Sequence, residues 1–196
     1  MHDHNVKALF GVEDEISQIA SKYPKQRRVV KNIGFACFYG AGWRRIQTTF
    51  AQGGFPITDL EAKQKLKMLK GYYPEVFPYH EEITEVLESG ETIRNLFGRP
   101  ITMQSHDNVF MQGFNTLIQS SASDLNLRAC EKAETRWRAE GLDAHPLLVI
   151  HDCIVAEVAT AHADRARDIL IESMTGFNLE TIKLKVEGKI SERWTK

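Results

Sequence analysis

Cysteine is scarce. The three present, Cys37, Cys130 and Cys153, are odd in number and lack Cys-x-x-Cys spacing, which argues against both a disulfide framework and a structural zinc. No apolar run approaches the roughly 20 residues of a membrane span, and the N-terminal stretch has no signal-like hydrophobic segment. These absences point to a reducing cytoplasm and to no membrane association. An excess of one charge is missing too: 25 Lys and Arg stand against 26 Asp and Glu, with a pI of about 6.7. A chain so balanced does not hold nucleic acid through its overall charge, so any such contact has to be local. Internal repeats and low-complexity segments are also absent. What remains is 196 residues with 42% hydrophobic content, enough to bury a core in one or two compact units.

Against that background one stretch stands out, Arg27-Arg28-Val29-Val30-Lys31-Asn32-Ile33-Gly34-Phe35-Ala36-Cys37-Phe38-Tyr39-Gly40. Arg27, Lys31, Phe35 and Tyr39 recur every four residues, so on a helix they form one slowly drifting stripe of two cations and two rings, about 18 Å long. Cations at one end and rings at the other suit a ligand with phosphates at one end and a flat base at the other, such as a nucleoside triphosphate. Val30, Ile33, Cys37 and Phe38 form the opposite, core-facing side. Spacing alone also fits an ordinary amphipathic helix with a basic start. Lys22, Lys25, Arg27, Arg28 and Lys31, followed by Arg44 and Arg45, make the local basic surface.

The segment resembles the nucleotide-binding fingers helix of family A DNA polymerases, whose pattern Arg-x-x-x-Lys-x-x-x-Phe-x-x-x-Tyr-Gly is matched at every named position. The resemblance implies that Arg27 and Lys31 hold the triphosphate, that Lys31 protonates the departing pyrophosphate, that Phe35 packs on sugar and base, and that Tyr39 sits beside the templating base, with Arg28 toward the DNA. Guanidinium, ammonium and aromatic rings are suited to those tasks. Gly34 and Ala36 depart from the residues relatives often carry, Asn and Gly. Upstream, the spacing to Phe10 and Gly11 makes His2 the counterpart of a histidine that approaches the nucleotide phosphates.

Taken in order, helices are expected over residues 1–11, from Glu13 to Lys22, and over the nucleotide-binding segment 27–40. Thr58-Asp59-Leu60-Glu61 is a capping-box start for a helix ending at Gly71, and another helix covers Glu75 to Ser89. Two short strands flank the turn at Gly98-Arg99-Pro100, in a Leu-Phe-Gly-Arg stretch that also resembles the family. A long helix from Asn108 to Glu140 follows, carrying Asn115 and Gln119 one turn apart. In related polymerases this amide pair contacts the primer-template near the minor groove, where every base pair offers acceptors. Met111, one turn earlier, stands where bacterial relatives often have arginine.

Leu147 to Val158 reads as two buried apolar strands around His151-Asp152, and a strand is expected at Thr181 to Glu187. An aspartate at a hairpin tip is a turn former or a metal ligand. The stretch resembles the family's Val-His-Asp-Glu palm motif, which implies that Asp152 binds Mg2+ and that His151 supports the catalytic site. Cys153 replaces the usual glutamate, and a thiol is a poor partner for magnesium. The resemblance thus implies an α+β fold: mainly helical fingers at residues 1–90, then a partial palm with a small antiparallel sheet at 91–196.

Two-metal phosphoryl transfer needs carboxylates on both sides of the metal pair, and the family's other palm aspartate has no counterpart here. The expectation is therefore a DNA-directed DNA polymerase subunit of a split, bacteriophage-type enzyme. Its partners would be primer-template, deoxynucleoside triphosphates and a second polypeptide bearing the first aspartate, the thumb and any exonuclease. The alternative is a non-catalytic nucleotide- or DNA-binding module derived from a polymerase.

Overall fold

A computed structural model describes residues 2–104, 108–180 and 182–193. The chain divides into two compact units: one holds residues through Ile93 together with Pro100–Thr116, the other Arg94–Arg99 together with Leu117 onward.

The first unit is helical. Its helices are α1 (His2–Phe10), α2 (Ile16–Lys22), α3 (Pro24–Phe38), α4 (Trp43–Gln52), α5 (Asp59–Tyr72) and α6 (Val76–Glu88). Pro24 opens α3, where a missing N–H costs nothing because the first turn has no acceptor for it. The expected capping box forms at α5: Thr58 N–H donates to Glu61 at 2.7 Å while Glu61 N–H donates to the Thr58 hydroxyl. Val6, Leu9, Ile19, Val30, Ile33, Ile46, Phe50 and Leu69 build the core around α3. Each such side chain contributes roughly 1.5–3 kcal/mol by leaving water. Cys37 lies in the same core, and burial pushes its thiol up to about 11.

Two boundaries differ from the sequence expectation. The first is at α2, which starts at Ile16 rather than Glu13. The second is at α3, whose last residue is Phe38; the segment 27–40 is therefore not helical throughout, because Tyr39 serves as the cap and Gly40 turns to φ +86°. Gly40 is required there twice over. Its backbone lies in the left-handed region, and an added Cβ would come within 2.6 Å of the Phe110 ring and 3.0 Å of His80. His80 is buried, paired through Nε2 with the Phe110 carbonyl at 2.7 Å, and packed between the Phe110 and Phe114 rings.

Strands β1 (Ile93–Arg94) and β2 (Pro100–Ile101) form a short ladder, and α7 (Val109–Ala139) contributes its first turns to the first unit and the rest to the second. Within the second unit, β3 (Ala144–Ile150) pairs antiparallel with β4 (Cys153–Val158), and α8 (Ala163–Thr175) follows. Trp137, Ala133, Ala144, Ala166 and Ile169 are its core, with the Trp137 indole N–H donating to the Ala166 carbonyl at 3.1 Å.

Within the second unit, the loop that follows β1, residues 95–99, is tied down by a polar clamp. Asn95 is buried and its side-chain oxygen accepts from the Phe97 and Arg99 N–H groups. Its amide donates to Asp124 at 2.7 Å, and Asp124 also pairs with the Arg99 guanidinium. Arg99, then Asn95, holds the Asp124 carboxyl down at about 2.

Two expectations about the second unit need correcting. Of the strand expected at Thr181 to Glu187, Thr181 lies outside the described residues, and the described part does not form: beyond an isolated bridge between Leu179 and Ile182, residues 183–190 are irregular. A strand needs a neighbour for its N–H and C=O groups, and among the described residues the sheet stops at β3 and β4. The flanking strands of the hairpin are also not buried: Leu147 is 56% and Leu148 47% exposed.

Candidate active site

The candidate nucleotide-binding residues lie in the first unit and the candidate metal-binding turn in the second. On the first unit, α1 packs along α3 through Val6, Leu9, Val30 and Ile33, and that packing leaves the expected stripe on the outer side. Lys31 and Phe35 are exposed, Phe35 at 42%, while Arg27 and Tyr39 are half-buried. Gly34 is buried and α3 runs through it unbroken.

His2, at the start of α1, meets the stripe directly. Its ring stands edge-on to Phe35 with centroids 5.8 Å apart, and the Lys31 ammonium lies 6.0 Å from the Phe35 centroid. Burial first, then the neighbouring Arg27 and Lys31 charges, lowers the His2 imidazole below its usual 6.5. Its Nδ1 is buried without a hydrogen-bond partner among the described residues. The structure therefore brings His2, Arg27, Lys31 and Phe35 into one patch of two fixed cations, one titratable ring and one exposed aromatic face. Such a patch attracts an anion with an attached flat group.

One member of the patch lies outside what the sequence suggested. Asp3 accepts from Arg27 Nε at 2.7 Å. The bond takes the side of the guanidinium and leaves its terminal nitrogens for a further acceptor. Because 24 residues separate the pair, no sequence periodicity relates them.

In the second unit, the β3–β4 hairpin turns through His151 and Asp152, both exposed. His151 has φ +53°, the left-handed region that costs a side-chain-bearing residue about 1 kcal/mol. The side chain of Asn126, buried on α7, donates to the His151 carbonyl at 2.6 Å. Cys153 is exposed beside Asp152. Among the described residues no group of three or more His, Cys, Asp or Glu side chains gathers to hold a metal. Asp152 offers a hard oxygen donor suited to magnesium, whereas Cys153 offers a soft one; a single carboxylate fits as part of a ligand set and not as a whole site.

The proposed DNA-facing groups lie apart in sequence. Arg28 is exposed on α3. Asn115 is half-buried and Gln119 exposed, both on α7, with Met111 exposed one turn before Asn115.

Among solved structures, the POL domain of Pol1 from M. smegmatis, in complex with DNA primer-template and dNTP, matches this fold with a TM-score of 0.75 at 21% identity, over 89% of this chain and 30% of that one. The family profile described as DNA polymerase family A matches residues 1–196, and the chain belongs to that family. DNA polymerase I of Aquifex aeolicus is 28% identical over 208 residues, covering 100% of this chain and 34% of that protein. The DNA polymerase of Escherichia phage T5 is 23% identical over 194 residues, covering 88% of this chain and 23% of its own length. The chain thus spans about a third or less of the length of these relatives.

Proposed function

We propose that this chain is the fingers and C-terminal palm part of a DNA-directed DNA polymerase, with residues 1–90 as fingers and 91–196 as partial palm. The observation that carries the reading is the patch on α1 and α3, where His2, Arg27, Lys31 and Phe35 meet in a chain of this family. In this reading Arg27, Lys31 and His2 hold the triphosphate of an incoming deoxynucleotide, Phe35 packs on its sugar and base, and Tyr39 lies beside the template base. The primer 3′-oxygen forms a bond to the α-phosphorus as the bond to pyrophosphate breaks, and Lys31 gives a proton to the leaving oxygen. Asn115, Gln119 and Arg28 contact the primer-template, and His151 supports the primer end.

Asp152 would contribute one carboxylate toward Mg2+, whose role when bound is to neutralise charge on the reacting phosphates. The other palm carboxylate, with the thumb and any exonuclease, would come from a second polypeptide. The exposed apolar side chains Leu147, Leu148 and Val149 on β3 support this, since contiguous exposed apolar strand surface is usually covered by a partner. A reducing bacterial or phage-infected cytoplasm suits the free thiols.

The test is primer extension with Mg2+ and all four nucleotides, first by the chain alone and then with a candidate upstream polypeptide. No extension alone and robust extension on mixing is the expected result. Extension by the chain alone refutes the two-chain site. Nucleotide or DNA binding that never becomes extension with any upstream polypeptide favours the non-catalytic module, a reading that Cys153 beside Asp152 recommends.

A further inference from the structure

We propose that Asn126 is a positioning residue for Asp152, holding the hairpin tip in its left-handed turn from a buried anchor on α7; the proposal rests on the reading of Asp152 as a metal ligand. Three observations carry it. Asn126 is 5% exposed, so its amide is a polar group placed inside protein on an otherwise leucine-flanked stretch, Leu125-Asn126-Leu127. That amide is committed to the carbonyl of His151 at 2.6 Å, 25 residues away. His151, in turn, is one of only two described non-glycine residues at positive φ, at +53°.

A carbonyl fixed at the first turn residue fixes the peptide plane that leads into Asp152. The direction in which the Asp152 side chain leaves the turn is therefore set by α7 and not by the two strands alone. Glycine would adopt the turn without help, whereas histidine needs an external contact to keep it populated. The buried amide supplies that contact, and a buried donor without its acceptor would be strongly disfavoured. Each group thus enforces the other.

The experiment uses the full chain, with Asn126→Ala and with Asn126→Leu, the latter filling the space while removing the donor. Hydrogen–deuterium exchange read by mass spectrometry should show residues 151–153 exchanging about tenfold faster in both variants, with the Trp137 and Ala166 region unchanged. Adding His151→Gly to either variant should restore much of the protection, because glycine holds the turn unaided. In the assembled polymerase, both variants should need severalfold more Mg2+ for half-maximal extension, while the nucleotide dependence at saturating Mg2+ stays the same. Unchanged exchange at 151–153 overturns the proposal. Faster exchange with an unshifted Mg2+ requirement, while Asp152→Asn is inactive, overturns the positioning role and leaves the reading of Asp152 standing. Full extension by Asp152→Asn removes that reading, and the proposal with it.

Discussion

The α1–α3 patch and the β3–β4 tip differ in how firmly each is held. The patch rests on a closed core: Val30 and Ile33 are fully buried beneath it, Asp3 orients Arg27, and His2 packs against Phe35. The tip has one buried anchor, Asn126, and above it an exposed carboxylate on a two-stranded ribbon whose Leu147, Leu148 and Val149 side chains face water. Only the far end of the ribbon, at Ala144, Ala156 and Val158, packs on a core, and a two-stranded ribbon is marginal where nothing covers it. A surface resting on a closed core and a carboxylate at an exposed turn should therefore respond differently to mutation.

The widest separation is expected from Asp152→Asn. Extension by the assembled enzyme should fall by roughly a thousandfold or more, with triphosphate binding to the chain unchanged when measured by equilibrium titration. Retained extension would remove the contrast between patch and tip. Lys31→Ala and Arg27→Ala should do the reverse, weakening triphosphate binding by about 10- to 100-fold while the melting temperature holds for exposed Lys31. Equal binding by either variant would show that the patch is only a solvated face.

A third experiment asks whether the second unit is fragile on its own. The Asp124 carboxyl lies near 2 when folded and 3.8 otherwise, lowered first by Arg99 and then by Asn95. Since the folded value is the lower, its stabilisation is fully present above pH 3.8 and disappears as pH falls through about 2. Arg99→Ala should lower the denaturant midpoint at neutral pH, by less than the shift alone suggests because the Arg99 side chain is largely in water. Denaturant melts of the variant should also lose most of this acid dependence; an unaltered acid profile would show that the clamp contributes nothing.

The smallest expected effect concerns His2. Its folded pKa lies below 6.5, so protonation opposes folding and the contribution of neutral His2 is lost as pH drops through 6.5 and below. A bound triphosphate should raise that pKa, making nucleotide binding severalfold tighter as pH falls from about 8 to 6. His2→Ala should flatten the dependence in the same titration.

The stripe was legible because helical spacing and side-chain chemistry both act locally, and Arg27, Lys31 and Phe35 needed only a periodicity of four to be seen. The hairpin was legible for the same reason, as two apolar runs around His151-Asp152. Asp3 with Arg27, Asn95 with Asp124, and Asn126 with His151 were not, because each joins residues 24 to 29 apart whose meeting depends on how helices pack. The exposure of Leu147 and Leu148 escaped for a related reason: an apolar run reports what a strand prefers, not whether anything is present to cover it. The irregular path of residues 183–190 follows from the same dependence on neighbours.

The three thiols are unequal. Cys37 is sealed in the core with its thiol at about 11, Cys130 is half-buried and raised by that burial, and Cys153 stands in solvent one residue from Asp152. A maleimide dye at neutral pH should thus attach at Cys153 ahead of the others. The hairpin tip comes with its own attachment point for an optical reporter, and the arrival of a covering polypeptide there would be read as a change in emission without any engineered residue.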